Sequence, residues 1–107
     1  MKLWIDDVRP APEGYMWCKS TNEALRLIFD PHIQYCYKID IIDLDHDMGD
    51  TFGGDAIVIL QEFERLSHRD PDVAEMVKNI KFRLHSMNPV GVANMRRIIQ
   101  KNGWKEV

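Results

Sequence analysis

Cysteine is scarce in this chain. Cys18 and Cys36 are the only two, they lack CxxC spacing, and they support neither a disulfide framework nor a thiolate metal site. Both read as buried structural thiols. Long hydrophobic runs are missing as well: none approaches the ~20 residues that cross a bilayer, and no charged-then-apolar leader precedes the first strand candidate. A reduced, cytoplasmic setting is the expectation. There is no surplus of positive charge, since 14 basic and 17 acidic residues leave a formal net charge of −3. That excludes an extended nucleic-acid-binding surface and leaves room only for local contact. Internal repeats and linkers are also lacking, and 107 residues suffice for one core but not two, so residues 1–107 are expected to form a single domain.

What is present has a globular balance, 45% hydrophobic and 29% charged, outside the disordered classes. Lys2 to Ile5 is a short apolar run ended by Asp6 and Asp7 and followed by a turn-prone Arg9–Gly14 segment, a strand running into a loop. Tyr15 to Cys18 reads as a second short strand. Ser20-Thr21-Asn22-Glu23 is a capping-box pattern that opens a helix with Ala24, Leu25 and Ile28 on one face, stopped by Asp30-Pro31. Ile39 to Leu44 suits a central strand covered on both faces, and its end carries Asp45-His46-Asp47. After a polar loop from Met48 to Gly54, Ala56, Ile57, Leu60 and Phe63 recur at helical spacing, and Pro71 starts another short helix. Ile80, Phe82 and Leu84 alternate with Lys81 and Arg83, the period of a strand. It delivers His85-Ser86-Met87-Asn88-Pro89. Gly91 leads into a helix with Val92, Met95, Ile98 and Ile99 inward, closed by Asn102-Gly103, and Trp104 to Val107 adds a brief last strand. Met87 and Met95 read as core packing.

Alternating strands and helices imply right-handed crossovers, and hence a three-layer α/β fold with a mainly parallel central sheet. Ligands of such sheets gather beyond the carboxyl ends of the strands. Asp6-Asp7, Asp45-His46-Asp47 and His85-Ser86-Asn88 all sit at such ends.

Asp6, Asp7 and Asp45 would bring nearly three negative charges to one crevice, and an oxygen-rich cluster of that kind selects a hard divalent cation such as Mg2+ or Mn2+. The bland alternative pairs them with Arg9 or with loop amides. Asp47 joins the metal ligands if the chain stays extended through Met48, and is otherwise a turn residue. His46 and His85 suit proton transfer near neutral pH, unless each only hydrogen-bonds a neighbouring carboxylate or carbonyl. Asn88 before Gly91 at a helix start offers free amides to a phosphate, with Ser86 as a further donor, or else Asn88 merely caps the helix. Arg9 and Arg96 are candidate phosphate clamps.

Three motifs in order, Lys2-Leu3-Trp4-Ile5-Asp6-Asp7-Val8-Arg9-Pro10, Leu44-Asp45-His46-Asp47-Met48-Gly49-Asp50 and His85-Ser86-Met87-Asn88-Pro89-Val90-Gly91, resemble the cyclic-phosphate processing receiver domains over nearly the whole chain. The resemblance implies a receiver-like, flavodoxin-like fold with the first helix reduced or lost. It matches Asp6 and Asp7 to the receiver's magnesium-holding acids, Asp45 to its phosphate-accepting aspartate and Ser86 to the small hydroxyl residue after the fourth strand. It also implies action on a cyclic phosphate of a small nucleotide or an RNA end. In that reading Asp45, His46 and His85 are catalytic, Asp6, Asp7, Asp45 and Asp47 hold the metal, and Arg9, Ser86, Asn88 and Gly91 bind substrate. No lysine stands in a final-strand Lys-Pro motif, which argues against phosphorelay. The alternative reading is a non-enzymatic receiver-type signalling or phosphate-sensing domain.

Overall fold

A computed structural model describes residues 1–32, 38–49 and 54–107. Cys36 and residues 50–53 of the loop after the third strand lie outside them. Short, largely apolar runs become strands β1 (Lys2–Ile5), β2 (Tyr15–Cys18), β3 (Ile41–Leu44) and β4 (Lys81–Leu84), and the charged pair after Trp104 adds β5 (Lys105–Glu106), all parallel, in the order β2-β1-β3-β4-β5. Leu3, Ile5, Ile42, Leu44 and Phe82 share one face by the period of two and are wholly buried there.

Helices α1 (Thr21–Ile28), α2 (Ile57–Ser67), α3 (Pro71–Lys78) and α4 (Pro89–Lys101) cover that face. Their starts are written in the sequence. Ser20 Oγ accepts from the Glu23 amide at 3.0 Å, Asp70 accepts from the Asp72 amide with Pro71 at the first helical position, and Asn88 accepts from the Gly91 amide ahead of Pro89. The core is centred on Phe63 of α2, whose ring meets Phe29, Phe82 and Trp104 at centroid distances of 5.5, 6.0 and 6.3 Å.

The layering differs from expectation. The steps β2 to β3, β3 to β4 and β4 to β5 all run the same way across the sheet, so right-handed crossovers put every helix on one side. Consistently, α2 packs against α1, α3 and α4. Only β1 to β2 steps the other way, and residues 6–14 join them without a helix. The parallel receiver-like sheet and the lost first helix are as expected, but the described residues form two layers, with no helix on the opposite face of the sheet.

Met87 is also corrected: it is 84% exposed, whereas Met95 is fully buried. Met87 lies in the turn between β4 and α4, past the last residue that either periodicity carries inward. No helix among the described residues is long and apolar enough to cross a membrane.

Candidate functional site

The order β2-β1-β3 makes the carboxyl ends of β1 and β3 the point where the chain departs in opposite directions, leaving a crevice between them. The period of two sets Trp4 and Asp6, Asp43 and Asp45, and Arg83 and His85 on the helix-free face. Three of these carboxylates are nearly out of water: Asp6 is 0%, Asp43 2% and Asp45 8% exposed. Buried carboxylates require partners.

Asp6 has them on both oxygens. Its Oδ1 accepts from the amides of Val8 at 2.9 Å and Arg9 at 2.8 Å, a turn that reverses the chain directly after β1. Its Oδ2 lies 3.0 Å from His85 Nε2 and 3.8 Å from Arg9 Nε. Burial pushes the Asp6 pKa up, but the two amides and His85 outweigh it and hold the carboxyl below its ordinary range. His85 Nδ1 lies 2.5 Å from Asp43 Oδ1. A carboxylate at each ring nitrogen favours the imidazolium, in which both nitrogens donate. Burial opposes that charge, yet the hydrogen bonds to Asp43 and Asp6 prevail and raise the His85 pKa. Trp4 stacks flat on this cationic ring, with centroids 3.8 Å apart and planes 5° apart.

Asp45 accepts from the His46 amide at 2.8 Å. Asp6, Asp45 and His85 each bring a ligand atom within 4.8 Å of the others. The donor set fits a divalent cation. Two carboxylate oxygens and one imidazole nitrogen suit manganese better than magnesium, and Asp43, at the Nδ1 side of His85, would fix the ring's orientation with Nε2 towards the cation. The proton on Nε2 and a cation would compete for the same place.

The other sequence candidates lie beside this cluster. Asp7 is half-buried and turns to the loop after β3. Its Oδ2 stands where a Cβ on Gly49 would come within 2.7 Å, and Gly49 has φ +57°, so glycine is required there on both counts. Asp47 is drawn away to His46 Nδ1 at 2.8 Å and Asn88 Nδ2 at 3.1 Å, and these bonds hold its carboxyl below its ordinary range. His46, Asp47 and Asp55 form a second group of facing ligand atoms, with Asp55 Oδ2 3.9 Å from His46 Nδ1. The two histidines thus belong to separate groups, His85 with Asp6 and Asp45, and His46 with Asp47 and Asp55.

Asn88 is spent at both ends, since its Oδ1 caps α4 and its Nδ2 holds Asp47. Ser86 Oγ accepts from the Asn88 amide at 3.1 Å. The His46 ring packs so closely on Gly91 that a Cβ there would overlap Cγ, Cδ2 and Nδ1. Arg9 donates from Nη1 to the His85 carbonyl at 3.2 Å, so its guanidinium lies across the crevice. Arg96 is held by Glu106 at 2.7 Å, away from the crevice.

Sequence reading missed Asp43, Trp4 and Asp55. The signal for Asp43 was available: an acid inside the run Ile41-Ile42-Asp43-Leu44 must be buried and therefore partnered. Trp4 and Asp55 carry no comparable mark.

The family described as the cyclic-phosphate processing receiver domain matches residues 1–101 of the 107. The chain belongs to this family. No curated protein and no solved structure matches it. In this cyclic-phosphate processing receiver domain the acid-rich crevice stands at the switch point of a flavodoxin-like strand order, where such sheets take their ligands.

Proposed function

We propose that the chain hydrolyses a cyclic phosphate on a nucleotide or RNA end with the help of a divalent cation. The observation that carries this reading is the convergence of Asp6, Asp45 and His85 from three strand ends within 4.8 Å, in a family described by cyclic-phosphate processing. A cation held by these residues would polarise a phosphoryl oxygen as a Lewis acid. The chain's own groups supply the remainder. His46, oriented through Nδ1 by Asp47, is left with Nε2 to take a proton from water as its oxygen adds to phosphorus. The same nitrogen returns the proton to the ring oxygen as its P–O bond breaks. Arg9 and the Ser86 hydroxyl face the charge that gathers on the phosphoryl oxygens. Without the cation His85 is engaged by Asp43 and Asp6 at its two nitrogens, and with it His85 would serve as a ligand through Nε2, so in neither state is it the group that moves protons.

The test pairs metal binding with turnover. Manganese should raise the melting temperature more than magnesium, and Asp6→Asn combined with Asp45→Asn should remove the shift. With metal, the wild type should open 2′,3′- or 3′,5′-cyclic nucleotides, and His46→Ala should lower the rate by about a hundredfold or more while keeping the metal-induced shift. If an acyl-phosphate donor modifies Asp45 and no cyclic nucleotide is turned over, the sensor reading replaces this one.

A further inference from the structure

The helix-free face of the sheet is not an ordinary solvated surface. Register sets Tyr15, Lys2, Ile41, Lys81 and Lys105 side by side in one row across the strands, and Trp17, Trp4, Asp43 and Arg83 in the next row towards the carboxyl ends. Lys81 and Lys105 are direct neighbours, an arrangement of like charges that destabilises a sheet unless something else compensates. Lys2, Lys81 and Lys105 are exposed, and among the described residues none of them forms an ion pair. Asp40, whose carboxylate feels both Lys2 and Lys81, is bound directly by the N-terminal ammonium at 2.7 Å.

The row above presents rings. Trp17 Nε1 donates to the Asp6 carbonyl at 2.6 Å and Trp4 Nε1 to the Arg9 carbonyl at 2.9 Å. Their polar edges are thus satisfied by the loop that replaces the missing helix; one face of Trp4 is taken by His85 and Tyr15 meets it edge-on at 6.1 Å, and what remains exposed of the two half-buried indoles is ring surface. Cations already seek rings on this face: Lys19 Nζ stands 4.4 Å over Trp17, and in the row below Lys2 Nζ stands 5.6 Å over Tyr15. Asp43, the one acid in the row, is neutralised by His85 and faces Arg83 Nε at 4.0 Å. Beyond this row lies the crevice, joined to it through the Trp4–His85 stack.

A row of cations that form no ion pair among the described residues, below a row of rings, is complementary to a polyanion that carries flat bases. We infer that this face seats the single-stranded RNA whose end enters the Asp6–Asp45 crevice, an inference that rests on reading the crevice as a cyclic-phosphate site. Bases stack on Trp4 and Trp17, and the following phosphates lie on Lys2, Lys81 and Lys105. A second copy of the chain is a poor occupant, because it would bring one lysine row against another.

Fluorescence anisotropy with a labelled hexauridylate, ending either in a 3′-hydroxyl or in a 2′,3′-cyclic phosphate, tests this beside uridine 2′,3′-cyclic monophosphate. Both hexamers should bind the wild type, with log K falling on log salt at a slope of roughly −2 for three neutralised phosphates. Lys81→Glu with Lys105→Glu should weaken both by about tenfold or more and leave the mononucleotide unaffected. Lys2→Glu is the second variant should that pair fail to fold. If the 3′-hydroxyl hexamer does not bind, or binds the charge-reversed chain equally well, the face is not an RNA platform, whatever the mononucleotide does. If both hexamers bind equally, lose affinity in the variant, and the mononucleotide does not bind, the platform stands and the cyclic-phosphate reading of the crevice falls. A wild-type dimer in sedimentation that the hexamer does not dissociate would assign the face to a second copy and overturn the inference.

Discussion

Asp43 sits in the middle of a buried, isoleucine-rich strand, where an unpaired carboxylate would cost several kcal/mol. It persists because His85 supplies a proton donor at 2.5 Å and passes the arrangement on to Asp6. Asp43→Ala should therefore destabilise the domain by about 1–3 kcal/mol, because it leaves the Nδ1 side of His85 without its partner while Asp6 still holds Nε2, whereas Asp43→Asn, which keeps an acceptor, should cost less. The pH dependence of the metal-free protein follows from two shifts of opposite sense. The His85 pKa is raised from 6.5, so its stabilisation is complete below that value and is lost as pH rises through the higher folded value. The Asp6 pKa is lowered from 3.8, so its contribution is present above 3.8 and is lost as pH falls through the lower folded value. Urea melts with chelator present should place greatest stability between these limits, and the alkaline decline should shrink in Asp43→Asn. An unchanged alkaline limb in that variant would mean that His85 does not carry it. Burial pushes the Cys18 thiol up to about 12. In a Cys36→Ser background it should therefore resist thiol reagents at pH 8 until the chain unfolds.

At the scale of elements, the turn from β4 into α4 and the turn leaving β3 are locked together by His46 on Gly91 and by Asn88 on Asp47. Gly91→Ala ordinarily helps a helix by up to about 1 kcal/mol. Here the added methyl meets the His46 ring, and overpacking of that kind costs about 1–3 kcal/mol. The substitution should destabilise the wild type and be neutral or stabilising when His46 is already alanine, a coupling that a double-mutant cycle reads directly. Additivity would show that the two turns are independent. The individual elements were legible because their periods and caps are local: Ser20, Pro71 and Asn88 open helices where the sequence places them, β1 is the apolar run that Asp6 and Asp7 end, and β4 follows its alternation. The lock was not legible. Asn88 was read as either a phosphate donor or a cap, and it caps while also holding Asp47, a contact between residues 41 positions apart that no local pattern encodes. The same holds for Asp7, whose neighbour Asp6 was an equal candidate until the turn at Val8 and Arg9 sent the two carboxylates different ways.

Over the whole molecule, the layering was hidden from the sequence because it depends on strand order rather than on strand content. The short loop after Asp7 announces a lost helix. Only the order β2-β1-β3-β4-β5 reveals that this helix alone would have lain opposite the others. A net charge of −3 likewise conceals that lysines gather on the face left bare. One consequence concerns stability. Parallel sheets are ordinarily buried on both faces, whereas among the described residues the helices enclose core on one side only, so the stability of the fold rests on that one cluster. Phe63 ties that cluster together, touching Phe29 after α1, Phe82 on β4 and Trp104 before β5. Phe63→Ala should cost about 3–5 kcal/mol, a large share of the roughly 5–15 kcal/mol that holds a domain together. Trp17→Phe on the bare face removes one hydrogen bond to the Asp6 carbonyl and should cost about 1 kcal/mol. In urea the Trp17→Phe variant should shift its midpoint at constant slope. Phe63→Ala should either lose most of its native baseline at 37 °C or unfold with a reduced slope, the mark of a loosened native state. A cost below about 1.5 kcal/mol for Phe63→Ala, under the range for a buried aromatic ring, would show that the helices hold to the sheet through contacts other than this cluster.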